Sequence, residues 1–165
     1  MKTPAEIAAF TSDLGVTKAK LGIPRMIVLG FMAGVFIALA GAASNTASAL
    51  ITNASVAKLV SGCVFPAGLT MVLCAGSELF TGNSLMCVAL FDRRIKLRAM
   101  LKNWAFVYIG NYVGSVLTAA LITLSGQLGM FGGKVALTTV TAAANKCALG
   151  FGQAFVLGIL CNILV

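Results

Sequence analysis

An all-α membrane protein is the expectation for this chain, and three features of the sequence lead to it. Of 165 residues, 59% are hydrophobic and 10% charged, against about 25% charged in ordinary soluble domains. The apolar residues come in long runs, and 26–50 contains no charge at all. A bilayer crossing takes about 20 such residues at a rise of 1.5 Å each. The third feature is the placement of the cations. Lys2, Lys18, Lys20 and Arg25 precede the first long run, and Arg93, Arg94, Lys96, Arg98 and Lys102 crowd together behind Asp92. Positive charge gathered in alternate connections marks the cytoplasmic face of multi-pass proteins. That explains the net charge of +8 better than nucleic-acid binding does, because no aromatics interleave with the cluster and no nucleic-acid module surrounds it.

Composition also removes chemistry. The sequence has no histidine, which excludes Ser/His/Asp and Cys/His nucleophilic sites and His-ligated metal or haem. Cys63, Cys74, Cys87, Cys147 and Cys161 lie in or beside apolar stretches with no metal-type CxxC spacing, and read as small packing residues. With no nucleotide loop and no nucleophile and base pair, the expectation is no catalytic residue, no metal, no cofactor and no enzyme. Residues 1–25 lack a short apolar core with a cleavage site, so no removable signal peptide is expected.

Taken in order, residues 1–25 form a cytoplasmic, amphipathic N-terminus. Ile7, Phe10, Leu14 and Val16 among polar neighbours after Pro4 fit a helix on the membrane surface or a plain tail. Residues 26–50 make the first crossing, in which Gly30, Gly34 and Ala38 present a smooth stripe for close approach by another helix. Residues 59–91 are too long for one ordinary crossing and carry Glu78 as their only charge. They are interrupted by Gly76, Ser77, Glu78, Leu79, Phe80, Thr81, Gly82, Asn83 and Ser84. Non-helical backbone at that depth survives only where protein or a water-filled cavity satisfies its peptide groups, so this crossing is a broken helix lining a site. Residues 103–124 make the third crossing, with Trp104 near the interface and Gly110 and Gly114 as a second smooth stripe. An external loop with a short helix, 125–146, leads to a fourth crossing, 147–165, where Gly150, Ala154, Gly158 and Asn162 share one face. Charge bias places the N-terminus and 92–102 inside, and 53–58 and 125–146 outside. Val165 then lies near the inner face with no basic anchor, so the chain looks unfinished.

The interruption holds the candidate site. An acid at hydrocarbon depth costs about 2.5 to 3.5 kcal/mol on insertion scales, so Glu78 needs donors. Either it accepts hydrogen bonds from backbone amides freed by the break, holding a loop shaped by Gly76, Gly82 and Asn83, or it exchanges protons or binds a cation. The Thr81 hydroxyl suits replacing water around an anion in a pore, or bonding back to its own helix. Phe65, Leu69, Leu79 and Phe80 flank the break as apolar constrictions, or as ordinary lipid and core contacts. Lys146 is an attractor of anions at a pore mouth or a snorkelling anchor.

At these residues the chain resembles the formate/nitrite transporter family. The stretch Ala75-Gly-Ser-Glu-Leu-Phe-Thr-Gly-Asn83 is similar to that family's first signature, and Gly158-Ile-Leu-Cys-Asn-Ile-Leu-Val165 to the beginning of its second. The resemblance implies an aquaporin-like channel fold, incomplete here and with a broken second crossing. It implies homopentamers in the inner (plasma) membrane, each protomer passing small monovalent anions or their conjugate acids, such as formate, nitrite or hydrosulfide, in a pH-dependent way. It also implies that Thr81 is the pore-centre hydroxyl, with Leu79 and Phe80 at the inner constriction. Phe65, Leu69 and Val165 then match apolar narrowings, Lys146 the outer basic residue, and Asn162 the amide that bonds a central histidine on the family's fifth helix. That helix and the sixth lie beyond the four crossings of this sequence, so the chain is expected to be a fragment. Cys74 stands where the family more usually has an aliphatic residue.

Overall fold

Among residues 3–164, which the computed structural model describes, every regular element is helical. The first, α1 (Pro4–Ala19), begins at a capping box. The Thr3 hydroxyl accepts from the Glu6 amide at 3.3 Å, and the Glu6 carboxylate accepts from the Thr3 amide at 2.6 Å, so two orphan donors are satisfied reciprocally. The Thr3 amide, and then its hydroxyl, hold the Glu6 carboxyl below the usual carboxylate range. The segment is helical and not a plain tail. Its Ile7, Phe10 and Leu14 are exposed, while Ser12 and Gly15 are buried.

The chain continues through α2 (Ile23–Ser48), α3 (Ala54–Val64) and α4 (Pro66–Cys74), breaks, and resumes as α5 (Phe80–Asn83), α6 (Met86–Phe91) and α7 (Leu97–Leu124). A 3-10 turn at Gln127–Gly129 leads to α8 (Met130–Cys147) and α9 (Phe151–Leu164). Three stretches, Ile23–Ser48, Ala54–Cys74 and Leu97–Leu124, are long and apolar enough to cross a membrane. Residues divide by contact into two units. The first holds residues up to Gly34 with Gly76–Gly114, and the second Val35–Ala75 with Ser115 onward.

In the first unit α2 and α7 meet at glycines. A Cβ on Gly30 would lie 2.9 Å from the Val107 carbonyl oxygen, and one on Gly110 would lie 2.7 Å from that of Ile27. A Cβ on Gly34 would collide with the Asn111 carbonyl. The smooth stripes of the two helices are therefore each other's partners, as small residues allow in lipid. Helix α1 docks on α6, where a Cβ on Gly15 would stand 2.6 Å from the Ala89 methyl. Arg94 ties the same pair by reaching Asp13 at 2.7 Å and the Ser12 hydroxyl at 3.2 Å.

In the second unit the Asn53 side chain caps α3 by accepting from the Val56 amide at 3.1 Å. Pro66 opens α4, whose Gly68 lets it approach α2: a Cβ there would be 2.7 Å from the Ala40 methyl. The Ser44 hydroxyl reaches the Ser61 carbonyl at 3.2 Å, and Gln127 donates to the Thr46 hydroxyl at 2.9 Å.

Several bounds differ from the sequence reading. The helix expected from 59 starts at Ala54, behind its Asn53 cap. The helix expected from 103 starts at Leu97, so Arg98 and Lys102 occupy its first turns; long cationic side chains tolerate that place because their heads reach the interface. The expected external loop is largely helix α8, with left-handed backbone at Phe131, Gly132 and Gly133 near its start. The expected crossing 147–165 is α9, bent by 109° from α8. Its described part, Phe151–Leu164, has 14 residues, and α8 and α9 together are long and apolar enough for one broken or re-entrant span. Lys146 lies in the last turn of α8. Val165 lies outside the described residues.

Candidate functional site

The break between α4 and α5 begins at Gly76, whose φ of +62° turns the chain left-handed, a conformation without penalty only for glycine. Leu79 is extended, with φ −106° and ψ 129°. The peptide groups this frees need partners. Asn111 of α7 supplies most of them. Its Oδ1 accepts from the Phe80 amide at 2.9 Å, and its Nδ2 donates to the Glu78 carbonyl at 2.9 Å and the Gly30 carbonyl at 2.7 Å. The Glu78 amide donates to the Leu29 carbonyl at 3.2 Å. Both faces of the break are thus stitched to α2 and α7.

The Glu78 carboxylate is held by side chains and not by the freed amides. Its partners are side chains, with Lys18 Nζ at 3.1 Å and Asn83 Nδ2 at 2.7 Å; the freed amides bond elsewhere. Asn83, fully buried, also receives Lys18 Nζ on its Oδ1 at 2.6 Å and donates to Asn103 Oδ1 at 2.7 Å. Asn103 Nδ2 in turn donates to the Lys18 carbonyl at 3.2 Å. The ion pair is offset by hydrogen bonds on every side, the condition under which buried charge is tolerable. Four elements meet in this network: α1, the break, α5 and α7.

Phe80 and Thr81 open α5. The Phe80 ring makes T-shaped contacts with Trp104 (centroids 5.9 Å apart) and Tyr108 (5.5 Å). Trp104 Nε1 donates to the Asn83 carbonyl at 2.9 Å. The Thr81 hydroxyl takes no hydrogen-bond partner among the described residues, while the Thr81 carbonyl accepts from the Ser84 hydroxyl at 2.6 Å. The alternative in which that hydroxyl bonds back to its own helix is therefore not the one formed. Gly82 has ordinary helical backbone, and a Cβ there would meet nothing within 4 Å.

The structure thus brings Gly76, Glu78, Leu79, Phe80, Thr81, Gly82 and Asn83 together in the first unit. The other expected residues lie in the second. Phe65 is exposed at the α3–α4 junction, and Leu69 is exposed on α4. Lys146 is exposed in the last turn of α8, and Asn162 is exposed on α9, its Nδ2 donating to the Gly158 carbonyl at 2.9 Å. No hydrogen bond or ion pair joins these four among the described residues. Sequence reasoning missed Lys18, Asn103, Tyr108 and Asn111. An asparagine inside a charge-free crossing was the available signal for Asn111, since polar groups at that depth face partners. Tyr108 offered none.

The sequence matches the formate/nitrite transporter family over residues 5–165. The chain belongs to that family. Among its relatives, the formate channel FocA of Haemophilus influenzae is 39% identical, over 99% of this chain and 58% of its own length. The formate channel BtFdhC of Bacillus thuringiensis is 34% identical over 98% of this chain and 63% of its own. Formate-nitrite transporter 3 of Toxoplasma gondii is 31% identical over 93% of this chain and 32% of its own. The chain therefore spans about six-tenths of the first two relatives. Membership places it among multi-pass membrane transport proteins, which agrees with the all-helical fold and its three long apolar helices.

Proposed function

We propose that this chain builds the broken-helix side of a passage for small monovalent anions of weak acids, formate first among them, with Thr81 as the hydroxyl that meets the permeant. The observation that carries this reading is a polar backbone break tied to α1, α2 and α7 by hydrogen bonds, with the Thr81 hydroxyl, like that of Ser77, taking no protein partner among the described residues. A fixed hydroxyl at hydrocarbon depth offers a donor to an anion shedding water. Leu79 and Phe80 beside it form an apolar constriction, where a neutral acid passes at far lower desolvation cost than its anion. Flux is therefore expected to rise as pH falls. Nitrite and hydrosulfide fit the same chemistry, as does an assembly of five copies. Lys146, Phe65, Leu69, Asn162 and Val165 complete the pathway in this reading.

Reconstitution into proteoliposomes with an internal pH dye tests it. The expected result is formate flux that increases on acidification and falls at least tenfold in Thr81→Val. Flux of water or cations alone, or formate flux indifferent to that substitution, rejects it.

A further inference from the structure

We infer that Tyr108 and Asn111 of α7 are positioning residues that set where Phe80 stands, and through Phe80 the largest anion admitted; this rests on reading the broken helix as the anion passage. Helix α5 is a single turn of four residues, too short to hold its own geometry. Its placement must come from outside, and α7 provides it. Trp104, Tyr108 and Asn111 fall on one face of that helix. Trp104 grips the end of α5 through the Asn83 carbonyl, and Asn111 grips its start through the Phe80 amide. Between them the Phe80 ring packs in T-shaped contacts with Trp104 and Tyr108, at interplanar angles of 71° and 74°.

Asn111 itself has little room to move. Its backbone lies against Gly34 and its side chain against Gly30, so α2 fixes it from behind. Its amide spends both donor hydrogens on carbonyls, Gly30 and Glu78, and an acceptor lone pair on Phe80. Aspartate at this position keeps the acceptor and loses both donors. The Tyr108 ring, by contrast, bears on Phe80 through a ring contact alone, so truncating it frees the Phe80 ring without unpairing any backbone group. The two residues therefore separate two effects. Asn111 sets the backbone of the constriction and Tyr108 the angle of its ring.

The experiment compares formate, acetate and propionate flux in proteoliposomes. The wild type is expected to discriminate by size. Tyr108→Ala should raise propionate relative to formate by about fivefold, the loss expected when an edge-on aromatic contact goes, while Tyr108→Phe, which keeps the ring, stays at the wild-type ratio. Trp104 is the one tryptophan of the sequence, so its emission and acrylamide quenching report the α5 turn in Asn111→Asp whether or not that variant conducts. A red shift with stronger quenching is expected. Absence of formate flux in the wild type overturns the passage reading and the size claim with it. Wild-type flux with an unchanged acid ratio in Tyr108→Ala overturns the inference while leaving the passage reading standing, as does unchanged Trp104 emission in Asn111→Asp.

Discussion

Single residues decide how the break is held, and residue type alone does not say which. Gly76 and Gly82 stand at either side of the same polar interruption, yet only Gly76 has positive φ. Gly76→Ala should cost about 1 to 2 kcal/mol, the penalty for an L-residue in left-handed backbone, although a Cβ there meets nothing within 4 Å. Gly82→Ala should stay within about 0.5 kcal/mol, like most substitutions that touch no special feature. Denaturant unfolding of the solubilised protein separates the two. The need for partners around Glu78 was legible, because a lone acid among apolar residues is costly. Its partner was not. Lys18 lies far away in sequence, among cations whose bias predicts an inner face, and only the docking of α1 brings it within 3.1 Å of Glu78.

Among the helices, the crossing of α2 and α7 governs whether the site exists, since Asn111 can reach the break only where the two backbones nearly touch. The glycine spacing made close approach legible. Which helices would meet was not, because each stripe is equally smooth toward any partner. The same substitution at two glycines shows the difference. Gly110→Ala places a Cβ 2.7 Å from the Ile27 carbonyl and 2.9 Å from the Phe31 amide, backbone atoms that yield only by moving a helix, and should cost about 1 to 3 kcal/mol. Gly41→Ala, on the same α2, meets nothing within 4 Å and should be neutral or stabilising by up to about 1 kcal/mol through helix propensity. Unfolding midpoints of the two variants in one detergent provide the comparison. Helix α9 shows the opposite case, for a Cβ on its Gly152 or Gly158 meets nothing within 4 Å among the described residues.

At the scale of the molecule, charge bias sets the expected orientation, with the N-terminus and the 92–102 connection inside. In a background without the native cysteines, Asn53→Cys should label with a membrane-impermeant maleimide on intact cells, and Lys96→Cys only after permeabilisation; the reverse pattern rejects the orientation. The sequence by itself determined the helical class, the need for a bilayer, the position of the break and the family, because each follows from local composition or from a contiguous motif. The tertiary structure decided what the break is made of. Lys18, Asn83, Asn103 and Asn111 become a site only when α1, α2 and α7 converge on it. A polar group in an apolar run announces that it needs a partner, but hydrogen bonds form in space, and sequence spacing does not encode which distant helix will supply the other half.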